Sequence, residues 1–212
     1  MSPRQNRVDP WGRLNAVPDR GAWMGNRGIL HNDSGEVVAP WRHKGWVTCV
    51  LEYKGRTREV FSPRRYSELF FLDEAVALSA GHRPCAFCRR ERFNEFKALW
   101  CKANLDGAPP SSVPAPEMDR RLHSERAVRS GGKATFRAKL ETLPRGTFVE
   151  HGGEAFLIWD GRLLKWSFSG YSPAAPADLP SGEVNVLTPA SIVAVLRLGF
   201  LPQVHESAKN SP

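Results

Sequence analysis

The sequence contains no long apolar run. No stretch of it approaches the roughly twenty apolar residues of a membrane-spanning helix, and the first ten residues, MSPRQNRVDP, have no apolar core like that of a signal peptide. Only four cysteines occur among 212 residues. That is too few for a secreted disulfide scaffold, and a close cysteine pair in a reducing compartment is more typical of metal binding or redox chemistry. These absences predict a cytoplasmic protein without a membrane partner.

Motifs of hydrolytic catalysis are also missing. The sequence has no paired acidic motif and no His-Asn-His nuclease pattern. Gly131-Gly-Lys133 lacks the remainder of a phosphate-binding loop. An enzyme that hydrolyses DNA or RNA is therefore an alternative without an identified site.

Acidic side chains are fewer than basic ones, at 22 against 30, which gives a formal net charge of +8. The excess lies in residues 1–104, which hold 18 basic and 11 acidic side chains, whereas residues 105–212 hold 12 and 11. A basic surface attracts phosphates, which favours DNA or RNA as a partner. The ratio of 22 Arg to 8 Lys also fits the coding bias of a GC-rich genome, which would produce the charge without any ligand.

The most ordered pattern in the chain spans residues 68–88. The apolar run Leu69–Leu72 predicts a buried strand, and Asp73 is a suitable N-cap for a helix over residues 74–80. Gly81 is placed to end this helix in a left-handed turn. The pattern predicts a strand and a short helix that lead directly into a cysteine turn.

Cys85-Ala-Phe-Cys88 forms that turn, and a second helix is predicted from residue 89 to residue 102. Two thiols at this spacing can bind one tetrahedral metal ion. A dithiol redox pair is the alternative, because a helix N-terminus lowers the pKa of a thiol. The surrounding sequence lacks the thioredoxin-like βαβ context of such pairs.

Residues 69–88 resemble the metal-binding turn of the N-terminal domain of the Ada DNA-repair proteins, in which a strand and an alanine-rich helix precede Gly-x-Arg-Pro-Cys-x-x-Cys. The resemblance implies a zinc ion with Cys85 and Cys88 as two of four ligands. It also implies a link to DNA repair or modification, since in that family one of two neighbouring upstream cysteines accepts a methyl group from a DNA phosphotriester. Here Cys49 is the one upstream cysteine.

The remaining metal ligands are open between Cys49, His43 and His82, in this order of preference. Period two in a strand predicted over residues 46–53 places Cys49 on the apolar, core-facing side. A cysteine there is either a metal ligand or a small buried hydrophobe. We expect it to be shielded, which favours a structural zinc ion over alkyl transfer. Cys101 is expected to be a free thiol.

Four arginines near the cysteine pair are candidate nucleic-acid ligands: Arg83, Arg89, Arg90 and Arg92. A guanidinium group suits this role because its planar fork can bind two phosphate oxygens at once. In the second helix the arginines fall largely outside the apolar stripe of residues 93–100. They are therefore expected either to contact phosphates or to solvate the outer helix face.

The chain as a whole predicts an α+β fold, with a small zinc-stabilised N-terminal α+β module followed by a β-rich C-terminal part with a final helix. The expected boundaries are residues 1–104 for the module, 105–117 for a Pro-rich linker or loop, 118–205 for a helix and β-hairpins, and 206–212 for a tail. No internal repeat is apparent.

Two elements of the C-terminal part are predicted in detail. Asp160-Gly161 joins two apolar segments in a hairpin turn that needs positive φ. Thr188-Pro189 precedes a final helix over residues 190–198. The favoured function is a zinc-stabilised nucleic-acid-binding protein. The alternatives are an enzyme acting on DNA or RNA, by cysteine alkyl transfer or hydrolysis, and a dithiol redox protein that uses Cys85 and Cys88.

Overall fold

The computed structural model describes residues 2–55, 59–128, 132–175, 178, 180 and 182–209. These residues include twelve strands, arranged in two six-stranded sheets, and five α-helices. The fold is α+β and has a C-terminal helix, as predicted. Within the same residues, no helix is long and apolar enough to cross a lipid bilayer.

The first sheet is mixed and comes from the N-terminal part of the chain. Its strands are β1 (Arg7–Val8), β2 (Leu14–Asn15), β3 (Trp23–Asn26), β4 (Val47–Cys49), β5 (Leu69–Phe71) and β6 (Arg83–Pro84). The spatial order is β2-β1-β5-β3-β4-β6. The pairs β1–β5 and β4–β6 are parallel, and the others are antiparallel.

Helix α1 (Glu74–Ser79) follows β5 as predicted. The Asp73 carboxylate caps it by accepting a hydrogen bond of 2.9 Å from the Val76 N–H. Gly81 has a φ of 87°, a conformation that glycine adopts at little cost, and it turns the chain into β6. β6 then delivers the cysteine turn to the edge of the sheet beside β4.

The strand predicted over residues 46–53 is shorter than expected, and the face predicted to be exposed is the buried one. It comprises only Val47–Cys49. Trp46 and Thr48 point inward, with 4% and 1% of their surface exposed, whereas Cys49 is half-buried on the outer face. The prediction that Cys49 faces the core was therefore wrong. The tryptophan ring, which buries far more area than a thiol, decides which face turns inward.

The second sheet is antiparallel throughout. Its strands are β7 (Phe136–Lys139), β8 (Phe148–His151), β9 (Glu154–Trp159), β10 (Arg162–Ser167), β11 (Gly170–Pro173) and β12 (Glu183–Val186), in the spatial order β11-β10-β9-β8-β12-β7. The predicted hairpin is confirmed. Asp160 and Gly161 join β9 to β10 with φ angles of 49° and 74°.

Four further helices complete the fold: α2 (Arg90–Asn104), α3 (Ala115–Arg126), α4 (Ala190–Arg197) and α5 (Glu206–Lys209). α4 matches the predicted final helix, and α5 lies in the residues expected to be a tail, of which 210–212 lie outside the described residues. The segment 105–117 is not a plain linker. It contains a 3-10 turn, Pro110–Ser112, and Val113 is buried in a core cluster with residues of α2, α3 and α4.

One core cluster joins the N-terminal and C-terminal parts. Leu69 and Phe71 of β5 belong to the same buried cluster as Phe148 and Trp159 of the second sheet. Ala208 of α5 is buried in it as well. The two parts on either side of residues 105–117 therefore share apolar packing, and the cysteine turn is held by a core to which both contribute.

Candidate metal centre

Three thiols meet beside the edge of the first sheet. The Sγ atoms of Cys49, Cys85 and Cys88 all lie within 4.8 Å of one another, and among the described residues no other group of three His, Cys, Asp or Glu side chains is this close. All three are free thiols and half-buried. Cys101 is free and buried in α2, outside the cluster. The arrangement can hold a metal ion.

The parallel pairing of β4 with β6 brings these thiols together. Cys49 is the last residue of β4, and Cys85 follows β6 directly. The Cys85 N–H donates a hydrogen bond of 2.9 Å to the carbonyl oxygen of Thr48, which extends the pairing into the turn. The Arg89 N–H then donates to the Cys85 carbonyl at 3.1 Å and starts α2. Cys88 therefore sits at the entry to α2.

Backbone N–H groups point at the sulfur atoms. The Phe87 N–H donates to Cys85 Sγ at 3.4 Å, and the backbone amides of Cys88 and Val50 also donate to the Cys85 and Cys88 sulfurs, respectively. Hydrogen bonds of this kind favour the thiolate form and fix its orientation, which are both needed for a metal ligand.

The three thiols also shift the pKa values of one another. Hydrogen bonds from Cys49 and then Cys88 lower the pKa of Cys85, whereas the interaction with Cys85 raises the pKa of Cys49. Without a metal ion, the three thiols therefore titrate as one coupled group, and a thiolate formed there accepts hydrogen bonds from the neighbouring thiols. Binding of a divalent cation would supply the positive charge needed to deprotonate all three.

The cluster lines a cavity of about 350 Å³. The apolar side chains of Met24, Val47 and Phe70 form much of its wall, and Glu68 contributes a carboxylate. Glu68 is buried, and its Oε2 accepts a hydrogen bond of 2.9 Å from the Phe61 N–H. Its Oε1 has no hydrogen-bond partner among the residues that the structure describes. The three-thiol cluster thus shares a cavity with the buried Glu68 side chain.

The two candidate histidine ligands do not join the thiols. His43 lies in the turn before β4, where its carbonyl accepts a hydrogen bond of 2.9 Å from the Trp46 indole, and its ring lies near Asp119 of α3. His43 was predicted to be a metal ligand, but the structure does not bring it to the thiols, because its turn is held against α3. His82 is buried in the core, and its Nε2 accepts from Arg27 Nε at 3.1 Å. The described residues thus supply three ligands.

Two of the four candidate nucleic-acid ligands are buried in ion pairs. Arg83 donates from Nε and Nη2 to both oxygens of Asp119, each at 2.8 Å. Arg89 donates to Glu74 at 2.7 Å and stacks on the Trp23 ring, 3.9 Å from its centroid. A carboxylate thus binds each guanidinium group, and Arg89 Nη1 has no hydrogen-bond partner among the described residues.

The other two arginines differ from each other. Arg92 is partly buried and donates to Glu74 and Glu95, at 2.7 Å in each case. Arg90 is exposed at the start of α2. Sequence reasoning missed the role of Glu74 because an acidic residue in a first helical turn is ordinarily explained by the helix dipole. Of the four, Arg90 is the one whose guanidinium is available to a phosphate.

An exposed aromatic ring lies in the cysteine turn itself. Phe87, between the two cysteines, is 57% exposed, and its ring centroid lies 5.1 Å from that of Tyr53. Lys54 lies over the Tyr53 ring, and Arg90 lines the same shallow depression as the two rings. We call Tyr53, Lys54, Phe87 and Arg90 the Phe87 surface. An apolar residue inside a Cys-x-x-Cys turn was the only sequence signal for it.

No protein-family model, no curated protein and no solved structure matches this chain. Its fold and site define an α+β protein with a three-cysteine cluster that can hold a metal ion. The resemblance of residues 69–88 to the Ada turn stays a prediction.

Proposed function

We propose that the protein binds one zinc ion through Cys49, Cys85 and Cys88 and binds nucleic acid with the adjoining Phe87 surface. The approach of the three sulfur atoms within 4.8 Å carries the zinc proposal. Thiolate ligands favour zinc among the common divalent cations, and zinc prefers four ligands in a tetrahedron. Three thiolates leave one position for a water molecule or for a ligand in the adjoining cavity.

Charge and exposed aromatic area support the second half of the proposal. The formal net charge is +8, with most of the excess in residues 1–104. In the Phe87 surface, two aromatic rings lie beside Lys54 and Arg90. Single-stranded nucleic acids are bound by this combination, because bases stack on exposed rings while cations contact phosphates. Measurement of metal content tests the zinc ion, and oligonucleotide binding tests the partner.

Replacing Phe87 by alanine should weaken binding of a single-stranded oligonucleotide. The expected loss is about 1–3 kcal/mol, the value of one base stacked on an aromatic ring. Replacing Arg90 by alanine should weaken binding of all nucleic-acid sequences by about the same factor. The slope of affinity against salt concentration should fall by about the value of one phosphate contact. Fluorescence anisotropy with labelled DNA and RNA of mixed sequence, over a series of salt concentrations, measures both effects.

Two substitutions outside the Phe87 surface serve as controls. Val38 is 55% exposed, so Val38→Ala removes exposed apolar area elsewhere. Arg120 is exposed on α3, so Arg120→Ala removes a cation of the same kind. Both should leave affinity within about twofold, because surface changes away from a contact have small effects. Equal weakening by test and control variants, or no binding at low salt, would refute the nucleic-acid proposal while leaving the zinc proposal intact.

A second function, an enzyme that uses the metal, is favoured by Glu68. Sites with three protein ligands and one open position are typical of catalytic zinc, which lowers the pKa of a bound water molecule. Glu68 lines the same cavity as the thiols, and its Oε1 has no hydrogen-bond partner among the described residues. Cys49 lines this cavity too and is half-buried, so it is less shielded than the sequence predicts, which keeps alkyl transfer among the activities to be tested.

Cobalt substitution should detect the open ligand position. If the three thiolates are the only protein ligands, adding imidazole to the cobalt-loaded protein should change its visible absorption bands, because imidazole enters the first coordination sphere. Glu68→Gln should bind cobalt as well as the unaltered protein does, since Glu68 lies outside the ligand cluster. Bands that do not respond to imidazole would show a closed, structural site and would exclude this second function.

A further inference from the structure

A second cavity, of about 340 Å³, lies on the side of β4 to which Trp46 points. Four cationic side chains line it, namely Arg13, Arg27, Arg126 and Lys133, together with the rings of Trp11 and Trp46. Arg13 is exposed, whereas Arg27 and Arg126 are buried and Lys133 is half-buried. We call this the Arg27 cavity. Of these cations, only Lys133 belongs to a sequence pattern discussed above, the Gly131-Gly-Lys133 segment that lacks the remainder of a phosphate-binding loop.

Arg27, Arg126 and Lys133 are packed around one ring and one carbonyl group. The guanidinium carbons of Arg27 and Arg126 each lie 4.1 Å from the centroid of Trp46. Lys133 Nζ donates to the Ser79 carbonyl oxygen at 2.5 Å. Burial lowers the pKa of Arg27 and of Arg126 to about 9, and burial together with these two arginines lowers that of Lys133 to about 7. Repulsion among these cations contributes to the lowered pKa values of Arg126 and Lys133, and a bound anion would oppose it.

Asp9, Asp119 and Glu125 act electrostatically on these cations, but none of the three carboxylates forms a direct ion pair with them among the described residues. The ion pairs among the described residues include none of the three cations. Asp9 is the nearest acidic group that acts on Arg27, and it already accepts hydrogen bonds from the Arg13 N–H at 2.8 Å and from Asn15 at 3.3 Å. Asp119, which acts on Arg126, is bound by Arg83.

Two buried guanidinium nitrogens of the lining residues have no hydrogen-bond partner among the described residues. Arg27 is 1% exposed, and its Nη1 donates to the Gly12 carbonyl at 2.8 Å, but its Nη2 has no hydrogen-bond partner among the described residues. Arg126 donates to the carbonyls of Gly81 and Lys44, and its buried Nε is likewise unpaired. A buried cation with an unsatisfied N–H costs free energy, which an anionic ligand would recover.

We propose that the Arg27 cavity binds the phosphate group of a phosphate monoester. Two guanidinium groups and an ammonium match the charge and the several oxygens of a phosphate dianion better than those of a single carboxylate. The volume leaves room for the esterified group beside Trp11. A free 5′-nucleotide and the 5′-phosphorylated end of a nucleic acid share this chemistry. The site is separate from the zinc ion and from the Phe87 surface.

Isothermal titration calorimetry with defined probes tests the proposal. The probes are inorganic phosphate, adenosine 5′-monophosphate, adenosine, and a short oligonucleotide with either a 5′-phosphate or a 5′-hydroxyl. Each phosphorylated probe that fits should bind at least tenfold more tightly than its unphosphorylated partner. Tighter binding of the mononucleotide alone identifies a small metabolite as the source. Tighter binding of the phosphorylated oligonucleotide identifies a nucleic-acid end.

Lys133→Met is the informative variant, because Lys133 is half-buried whereas Arg27 and Arg126 are buried, and methionine keeps most of its length without the charge. Phosphate affinity should fall at least tenfold, and the rise in melting temperature that phosphate causes should disappear. Lys139→Met, an exposed lysine on β7, should change neither. Arg27→Lys, which keeps the charge but loses the fork, should give an intermediate loss.

Two results would contradict the proposal that the Arg27 cavity binds phosphate. If no phosphorylated probe binds at millimolar concentration, or if Lys133→Met binds phosphate as tightly as the unaltered protein, the cations serve the fold alone and the proposal fails. Neither result bears on the zinc ion, because the three thiols are not part of this cavity.

Discussion

Replacing Cys85 by serine is expected to abolish zinc binding and to lower the stability of the fold. The unaltered protein should carry about one zinc ion per chain. A structural zinc site contributes about 10–16 kcal/mol of binding free energy in small peptides, and this energy is shared with folding. Removing one of three thiolates should therefore reduce affinity by orders of magnitude. Elemental analysis of the purified variant and thermal unfolding with and without a chelator measure both effects.

Cys49→Ser and Cys88→Ser should behave in the same way, since the three sulfurs form one cluster. Cys101→Ser is the matched control, because Cys101 is free and buried in α2, outside the cluster. It should retain about one zinc ion. Zinc retention by the Cys49 variant would remove that residue from the ligand set. A metal-free protein with a readily formed Cys85–Cys88 disulfide would support the dithiol redox interpretation instead.

Replacing Glu74 by alanine should destabilise the protein by about 3–5 kcal/mol, the cost of breaking a buried ion pair by removing one partner. Glu74 is 1% exposed, and it accepts hydrogen bonds from Arg89 and Arg92 at 2.7 Å and from the Gln203 N–H at 2.9 Å. The substitution would leave two guanidinium groups and one amide without this acceptor. Urea unfolding followed by tryptophan fluorescence measures the change in the free energy of unfolding.

Glu95→Ala provides the comparison. Glu95 pairs with the same Arg92 at the same 2.7 Å, but half of its side chain is exposed. Exposed ion pairs contribute about 0–1 kcal/mol, so this variant should be close to the unaltered protein. If the two variants lose similar stability, then Glu74 does not hold α1, α2 and the segment before α5 together.

The features predicted correctly from sequence are those that neighbouring residues determine. The Asp73 cap, the left-handed Gly81 and the Asp160-Gly161 turn each depend on a few adjacent positions. The orientation of β4 could not be predicted in this way. Which of its faces is buried depends on where the Trp46 ring packs, and the arginines on that ring come from distant segments.

The candidate site shows the same difference between features that neighbouring residues determine and features that distant residues determine. The spacing of Cys85 and Cys88 predicts a shared metal ion, because a four-residue turn brings the two thiols together by itself. The approach of Cys49 requires the β4–β6 pairing, and the pairing of Arg83 with Asp119 spans 36 positions along the chain. Composition alone therefore suggested more arginines for phosphate binding than the fold leaves available.

The parallel pairing of β4 with β6 has a consequence for the order in which the protein assembles. The second sheet is built largely from hairpins between neighbouring strands, which close short loops and form early. The first sheet has to bring Arg7 to Phe70 and Val47 to Arg83, and long loops close more slowly. In refolding of the whole chain, the turn from Cys85 to Cys88 closes within four residues, whereas Cys49 joins it only when β4 pairs with β6. If the cluster holds the proposed zinc ion, docking of β4 is the step that changes a two-thiol site into a three-thiol site.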